Sequence, residues 1–358
     1  MNFGYSEEQR MMSDSLGQLF TGKETDVWAA CCKMGLAGVL VPEEFGGMGG
    51  LGTDGMVAAL EIGRNLAVIP FLSTAAVGMQ AINLAGSEAQ KAKWLPQIAK
   101  GHLQVAIAFE EPGARYDLEH LETQAVGDGD GYILNGRKSV VLGGDSADLI
   151  IVAARLDESL KLFALDAGAA GITRTDYALT DGRGAADIAL QDVRVQGDAL
   201  LGDGATVMAA VYDLGAAMIA AEALGALEKI IAMTAEYLKT RHQFGQPISN
   251  FQVLQHQMAD MAVSYEHMKS MVFEACGFAM SEDAALRAQA VSAAKVLIAE
   301  EGRQICQHAI QMHGGIGVTE EYDLGRFVKR VTLAEFAFGD ADHHIARYGK
   351  HLADTADV

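Results

Sequence analysis

The chain has 358 residues; half are hydrophobic, 21% are charged, and there are 40 Gly but only 5 Pro. This composition excludes an intrinsically disordered chain and predicts a globular protein with a sizeable core, long enough for two or three modest domains. The formal net charge of −20 repels phosphate backbones and anionic lipid surfaces. It therefore argues against nucleic-acid and membrane partners, although a small anionic ligand could still bind at a local basic site.

The four cysteines, Cys31, Cys32, Cys276 and Cys306, show no metal-ligand spacing, and the adjacent pair is too close to bridge easily. We expect buried free thiols, which suit a reducing compartment. The first residues have neither the basic nor the apolar region of a signal peptide. No apolar run reaches the roughly 18 residues needed to span a bilayer. The expected location is the cytoplasm, and neither a metal site nor a P-loop is expected.

Residues 1–104 are expected to form an N-terminal helical domain. Ser6 is placed to cap a helix that begins at Glu7, and residues 51–66 and 87–99 show helical spacing of apolar residues. A Gly-rich loop at 46–50 lies between these segments.

Residues 105–205 change character and are expected to form a central β-sandwich or barrel domain, because short β-prone runs alternate with Gly and Asp turns. The β-prone runs are 105–109, 132–134, 149–153 and 161–165. The expected turns include 127–131, Asn135-Gly136 and 143–144.

Residues 206–358 are helical again and rich in Ala, Met and Leu. The segments 206–240, 251–280, 281–313 and a last helix ending near Ala353 contain long apolar faces. Long helices of this kind favour a C-terminal bundle of four antiparallel helices. The expected fold class is therefore α+β, with a helical domain, a β domain and a four-helix bundle in that order.

Two stretches in the C-terminal third carry the most information about function. The stretch from Tyr237 to Gln252 contains Arg-His-Gln-Phe-Gly, and the stretch from Gln311 to Arg330 begins Gln-Met-His-Gly-Gly. Both resemble the helical-domain signatures of the acyl-CoA dehydrogenase family of flavoenzymes. Weaker segments that resemble this family occur in its order at 42–47, 95–101, 135–138 and 201–204. The resemblance covers essentially the whole chain and implies the same three-part architecture.

The resemblance implies an FAD at a subunit interface. In this family the β domain of one subunit holds the isoalloxazine ring, and the helical domain of its neighbour holds the adenine and pyrophosphate end. For the neighbour's part, the resemblance implies Arg241, Gln243, Phe244, Gln311, Gly314 and Gly315. A guanidinium brings a fixed cation with five donors to a pyrophosphate, and glycines let backbone amides approach phosphate closely.

The flavin side of the family's site is altered in this sequence. Glu110 stands where the family has a Thr that bonds the flavin, and Arg115-Tyr116 replaces a Gly-Ser pair. The segment 140–142 (Val-Val-Leu) replaces Trp-Ile-Thr, which removes a stacking ring and a hydroxyl. An anionic Glu110 would also oppose the negative charge of a reduced flavin. We interpret these changes as loss of FAD binding by the β domain of this chain.

The resemblance further implies removal of the α-proton of an acyl-CoA thioester by a Glu carboxylate in a desolvated pocket, while the flavin accepts the β-hydride. The family places this base at one of two positions, which are Gly339 and Gly215 here. Neighbouring carboxylates that could substitute are Asp340, Asp213 and Glu222. The catalytic residue is left unassigned.

His343 and His344 could resemble a catalytic pair. We interpret them as histidines of a helix surface or a subunit interface.

Three hypotheses follow from these patterns. The first is the base-lacking subunit of a heterotetrameric (α2β2) acyl-CoA dehydrogenase, similar to the smaller subunit of the enzymes that act on steroid side-chain CoA esters. Its partners would be a second acyl-CoA dehydrogenase subunit, an acyl-CoA substrate and, as electron acceptor, electron-transfer flavoprotein or, in an oxidase, oxygen. The second is a homotetrameric acyl-CoA dehydrogenase with an Asp base. The third is a cofactor-free scaffold of the same fold.

Overall fold

A computed structural model of the chain describes residues 4–356. The α-helices in this part of the chain are α1 Glu7–Thr21, α2 Val27–Lys33, α3 Gly52–Asn65, α4 Met79–Ala85, α5 Glu88–Ala99, α6 Ala205–Thr240, α7 Gln252–Phe278, α8 Ala284–His313, α9 Leu324–Phe336 and α10 Ala341–Ala356. The strands are β1 Val105–Ala108, β2 Gln124–Asp128, β3 Gly131–Leu142, β4 Leu149–Leu156, β5 Ser159–Asp166, β6 Ile172–Ala178, β7 Gly184–Gln196, β8 Leu200–Asp203, β9 His242–Gln243 and β10 Gln246–Pro247. A π-helical segment, Phe71–Gly78, precedes α4.

The chain divides into two compact units. The first contains Met1–Lys23, Met56–Ala67 and Ala216–Val358, and the second contains Glu24–Gly55 and Val68–Gly215. The helical N-terminal segment thus contributes to both units. The three-domain boundaries expected from the sequence, 1–104, 105–205 and 206–358, stay a prediction.

The second unit is built on a mixed eight-stranded sheet with the order β6-β7-β3-β2-β4-β5-β8, and β1 pairs with β4. The pairs β1–β4 and β2–β4 are parallel, and the other pairs of this sheet are antiparallel. Its core contains Leu134, Ile150, Phe163, Ile188 and Val193, all essentially inaccessible to solvent. The predicted fold class, a β domain between helical segments, is confirmed.

One turn expected in the β domain was wrong. Asn135-Gly136 lies inside β3, where the register with β7 shifts between Leu134 and Gly136, as it does at a β-bulge. The side chain of Thr123 packs directly against Gly136, so a Cβ at this position would collide with it. Glycine is needed here for close packing, and the Asn-Gly pair only resembles a hairpin turn.

The helix start predicted from the capping residue Ser6 is confirmed. The Ser6 hydroxyl accepts a hydrogen bond from Gln9 N at 3.2 Å, and the Gln9 side chain accepts one from Ser6 N at 3.0 Å. Ser87 and Gln90 repeat this reciprocal arrangement at the start of α5. Each pair satisfies backbone donors that a helix start otherwise leaves open.

Two expectations about the long helices need correction. By length and composition, α6 is apolar enough to cross a membrane, although no such run was expected; 83% of its most apolar stretch is buried inside the protein, as in a core helix. The single last helix expected near the C-terminus is two helices, α9 and α10. The connection between them, residues 337–340, contains two residues with positive φ, Phe338 and Gly339.

A buried ion pair ties the end of β1 to β3. Lys138 Nζ donates to Glu111 Oε1 at 2.6 Å, and Glu111 also accepts from the backbone N–H groups of Glu122 and Thr123 at 2.6 and 3.1 Å. Burial lowers the pKa of Lys138 to about 8. Burial alone would raise the pKa of Glu111, but its hydrogen bond and ion pair with Lys138 lower it below its ordinary value. Both groups are therefore charged at neutral pH.

Replacing Lys138 by Met is expected to lower the free energy of unfolding by about 3–5 kcal/mol, because it leaves a buried carboxylate without its cation. Urea-induced unfolding of the purified protein measures this change. The matched control is Arg194→Met in the same sheet, since Arg194 forms an exposed pair with Asp128. That control should change the free energy by less than about 1 kcal/mol. Equal effects of the two variants would contradict a structural role for the buried pair.

Candidate functional site

The first signature forms the end of α6 and a tight hairpin. The helix ends at Thr240, and Ile248 N donates to Arg241 O at 2.8 Å, which closes the loop around β9 and β10. Within it, Phe244 and Gly245 have φ values of 53° and 78°. The Arg241 side chain is exposed. Its guanidinium forms no ion pair or hydrogen bond with the residues that the structure describes, so it is available to a ligand.

Two further residues of this loop also face solvent. Phe244 is 90% exposed and meets Phe251 edge-on, with ring centroids 6.0 Å apart. Gln243 Nε2 donates to the neighbouring His242 O at 2.8 Å, so this side chain is partly occupied. The Phe244 ring is thus open to contact from outside the chain.

The second signature forms the end of α8. Gly314 has φ 63°, and its N–H closes the helix by donating to the carbonyls of Ile310 and Gln311. No atom lies within 4 Å of the place that a Cβ would take at Gly314 or Gly315. The Gln311 side chain is exposed. The Gly314 N–H is thus used to close the helix. The expectation that Gly314 and Gly315 let backbone amides approach a phosphate stays a prediction.

His313 connects the two signatures. Its ring stacks on Tyr237 of α6 with centroids 4.5 Å apart and lies 5.1 Å from the ring of Tyr322. His313 Nδ1 lies 2.8 Å from Ala309 O, and a carbonyl can only accept, so Nδ1 carries the proton. Burial lowers the pKa of His313, which favours the neutral ring. This aromatic contact, which was not predicted from the sequence, sets the end of α6 beside the end of α8.

The residues on these two helix ends fit the adenine and pyrophosphate end of a dinucleotide. An unpaired guanidinium, an exposed ring and a glycine with open space beside it are the groups that a phosphate and a planar base require. Of the six predicted residues, Arg241, Gln243 and Phe244 share one loop. Gln311, Gly314 and Gly315 lie together at the end of α8.

The face of the β domain expected to meet the flavin ring carries different groups. Val140 has φ 51°, which is strained for a β-branched residue, and its N–H donates to Asp187 Oδ1 at 3.0 Å. The Tyr177 hydroxyl donates to the same oxygen at 2.8 Å. Arg115 also has a left-handed φ of 51°, at a position where the family has glycine. These residues do not fit a flavin ring as the hydroxyl and glycine residues of the family do.

Glu110 on this face requires one correction. Burial raises the pKa of Glu110 to about 7, so the carboxyl is substantially protonated at neutral pH. The expected repulsion between a fully anionic Glu110 and a reduced flavin is therefore weaker than its sequence position indicated. The features of this face that oppose flavin binding are then the bulk of Arg115 and Tyr116 and the missing hydroxyls.

The first base position, Gly339, lies in the connection between α9 and α10 with φ 98°. The neighbouring Asp340 caps α10: its Oδ1 accepts a hydrogen bond from His343 N at 2.9 Å. A carboxylate used as a helix cap accepts a backbone hydrogen bond of the first helical turn and is turned to the backbone. Asp340 is thus a structural residue in this arrangement.

The second base position, Gly215, lies in α6, and Asp213 two residues before it is fully buried in the same helix. Further along α6, the Glu222 carboxylate forms a buried ion pair with Arg330 of α9. Arg330 also donates to Ala67 O at 3.3 Å. Glu222 therefore neutralises a buried cation. The alternative of an Asp base at Asp213 stays a prediction.

Two buried side chains fix the connection that contains Gly339. Lys295 of α8 donates to the carbonyls of Ala334 and Ala337, the latter at 2.7 Å. His344 Nε2 donates to Phe338 O at 2.8 Å, and Nδ1 lies 3.1 Å from Ser292 Oγ. Burial, followed by the positive charge of Lys295, lowers the pKa of His344 to about 2, so the ring is neutral. The interpretation of His344 as a surface or interface residue was wrong, because it is fully buried.

Comparison with known proteins assigns the chain to a family. The family models for the N-terminal, middle and C-terminal domains of acyl-CoA dehydrogenases match residues 6–102, 106–193 and 202–353. The chain belongs to the acyl-CoA dehydrogenase family. The expected cofactor is confirmed: FAD is the cofactor of this protein.

Individual relatives agree with this assignment. The probable acyl-CoA dehydrogenase YngJ of Bacillus subtilis is 30% identical over 96% of this chain and 97% of its own length. Acyl-CoA dehydrogenase FadE27 of Mycobacterium tuberculosis is 28% identical over 98% of this chain and 92% of its own length. A solved structure of a variant of the Tcur3481–Tcur3483 steroid ACAD is 29% identical, with a TM-score of 0.88 over 98% of this chain and 99% of that chain.

Replacing Gly339 by Ala is expected to lower the free energy of unfolding by about 1–2 kcal/mol, because an L side chain rarely adopts its left-handed backbone. Chemical denaturation measures the change. Gly325→Ala is the matched control, since Gly325 lies within α9 with open space beside it. There, alanine should raise the free energy of unfolding by about 0.5–1 kcal/mol. A stabilising Gly339→Ala would contradict the conformation of this connection.

Between pH 7 and 9, Lys295 is expected to contribute an increase in the free energy of unfolding of up to about 1.4 kcal/mol per pH unit, and Lys295→Met should remove this contribution from the measured slope. Burial lowers the pKa of Lys295 to about 7, against the opposing charges of Glu335 and Asp340. The unfolded lysine keeps its proton to a much higher pH, so the unfolded state binds more protons in this window. Lys138 acts in the same direction, and the comparison is therefore the slope of the variant against that of the unmodified protein.

Proposed function

We propose that this chain is the base-lacking subunit of a heterotetrameric (α2β2) acyl-CoA dehydrogenase. It would complete the FAD site of a partner subunit by holding the adenine and pyrophosphate end. The partner would supply the flavin-binding β domain and the catalytic carboxylate.

The observation that carries the proposal is the state of the base positions. Both positions are glycine. The Asp340 side chain caps α10, and the Glu222 side chain is the counter-ion of Arg330. A general base needs a carboxylate that can reach the substrate proton and is free to accept it. Asp340 and Glu222 are both committed to structural contacts.

The dinucleotide end supports the other half of the proposal. Bound FAD supplies the hydride acceptor of the reaction. The residues of this chain would bind and orient it: Arg241 on the pyrophosphate, Gln243 and Phe244 along the dinucleotide, and Gln311 and Gly315 as donors, with Gly314 shaping the helix end. Arg241 and Phe244 would lose their exposure on contact with a partner subunit, which is the physical reason to expect an interface there.

The substrate and the further partners follow by similarity to relatives. The chain resembles one component of the Tcur3481–Tcur3483 steroid ACAD. We therefore propose an acyl-CoA thioester as its substrate, with steroid side-chain CoA esters as the specific candidate. Electron-transfer flavoprotein is the proposed electron acceptor, and oxygen is the alternative. The proposed location is the cytoplasm.

Two alternatives predict different cofactor contents. A homotetramer would use Asp213, which is buried in α6, as its base and would hold FAD without a second kind of subunit. A cofactor-free scaffold of this fold would leave the unpaired guanidinium of Arg241 without a purpose. The exposed Arg241 therefore favours the two hypotheses with bound FAD, the heterotetramer and the homotetramer, over the cofactor-free scaffold.

The test is the FAD-to-chain ratio of the purified protein, alone and co-expressed with a second acyl-CoA dehydrogenase subunit. We expect little FAD on the chain alone and one FAD per pair of unlike chains, because each site needs both surfaces. FAD released by denaturation and measured by its absorbance gives the ratio. One FAD per chain in the protein alone would overturn the half-site reading. No FAD with any partner would favour the scaffold.

A variant pair sharpens the test in the co-expressed complex. Arg241→Ala should weaken FAD binding by about tenfold or more, because it removes a charge-assisted contact to phosphate. The matched control is Arg326→Ala, since Arg326 is also exposed and pairs with Asp323, the residue that precedes α9. Equal FAD contents in the two variants would remove Arg241 from the site.

A further inference from the structure

A polar cavity lies in the first compact unit, between α1, α3, α6 and α7. Its volume is about 320 Å³, within the range of small-ligand sites. Leu224 and Glu228 of α6 line it, 17 and 13 residues before Arg241. At 1.5 Å of rise per residue, the cavity is roughly 20–25 Å along α6 from that arginine. It is thus separate from the helix ends assigned to the dinucleotide.

The inner part of the cavity is a fixed polar network. Arg64 of α3 donates to Glu228 Oε2 through Nε at 3.2 Å and Nη2 at 2.5 Å, and Nη1 pairs with Glu61. The Tyr265 hydroxyl donates to the same Glu228 oxygen at 3.3 Å. Two carboxylates, Glu61 and Glu228, thus face the one charge of Arg64. This end of the cavity is rigid and polar, and its guanidinium is not available to an anion, so an anionic group is expected at the outer end.

An aromatic wall lies beside this network. Tyr5 stacks on Phe273 with centroids 5.9 Å apart and planes 13° apart, and Leu60 and Leu224 add apolar surface. Burial raises the pKa of Tyr5, so its hydroxyl stays protonated as a donor. That hydroxyl forms no hydrogen bond with any residue in the described part of the chain. The wall therefore offers a flat apolar surface with one open hydroxyl.

The solvent side of the cavity is basic. Arg10 of α1 is exposed and has no ion-pair partner among residues 4–356, where the structure is described. Lys269 of α7 pairs with Glu266 at 3.7 Å, but this pair is exposed and screened by water. Two cations from different helices therefore meet at one cavity in a chain of net charge −20. This is a local basic site of the kind that the composition leaves possible.

We propose that this cavity binds a small organic anion, a carboxylate or phosphate ester with a flat apolar body. Arg10 and Lys269 hold the anionic group, the Tyr5 and Phe273 rings and the leucines contact the body, and the Tyr5 hydroxyl donates a hydrogen bond. The proposal is independent of the half-site function, because none of these residues belongs to the dinucleotide end or to the base positions.

The test is isothermal titration calorimetry of the purified protein, or of the complex with its partner subunit, with benzoate, phenyl phosphate and neutral benzamide. We expect both anions to bind and benzamide not to bind, with an affinity that falls as salt is added, because the recognition is electrostatic. The affinities for benzoate and phenyl phosphate are then compared, and the tighter of the two shows whether the site prefers a carboxylate or a phosphate ester. Absence of heat for both anions at millimolar concentration would overturn the proposal.

Matched variants locate the binding. Arg10→Gln with Lys269→Gln should weaken anion binding by about tenfold or more, since it removes both cations. Lys229→Gln is the control: it is exposed on α6 beside Glu228 and does not line the cavity. All three positions reach solvent, so we expect unchanged folding, checked by circular dichroism. Anion binding that survives in the double variant would place it elsewhere, and an unchanged FAD ratio separates this test from that of the proposed function.

Discussion

A charged group inside this protein must find its partner there, and this constraint decides which groups remain for chemistry. The buried Arg330 takes Glu222 as its counter-ion, and Lys138 takes Glu111. Removing either carboxylate would leave a buried cation unpaired. The resulting loss is a large fraction of the free energy of unfolding of a marginally stable protein. A carboxylate bound in this way neutralises a buried cation, so its position near a family base position does not make it a base. Arg241, by contrast, is an exposed cation that pairs with no residue in the described part of the chain.

The sequence was a good guide to the elements whose signals are local. Ser6 and Ser87 with their reciprocal glutamines mark helix starts, and long apolar periodic runs mark α6, α7 and α8. The strands β2 and β6 were missed, since most of their residues are exposed and they lack the apolar runs of a buried strand. The bulge at Gly136 was missed because its cause is a contact with Thr123, thirteen residues earlier in the chain.

The candidate site divides in the same way. The residues of the dinucleotide end occur in two short motifs, so a single sequence was enough to name them. The residues that position these motifs were not predicted: His313 joins two helices through ring contacts, and Lys295 reaches carbonyls about forty residues further along the chain. Such contacts are set by packing between distant segments. A buried lysine in an Ala-rich helix is the one signal that could have directed attention to the α9–α10 connection.

In the proposed half-site, the altered flavin face and the missing base have one physical explanation. A base accelerates proton removal only when substrate and hydride acceptor are held against it, so a carboxylate beside an altered flavin face would contribute nothing. The dinucleotide end is different, because in this proposal its groups would act on a cofactor seated on another chain. Arg241 can do this work whatever the β domain of its own chain binds. The pattern of retained and altered groups therefore follows the division between what a subunit does for its partner and what it would do for itself.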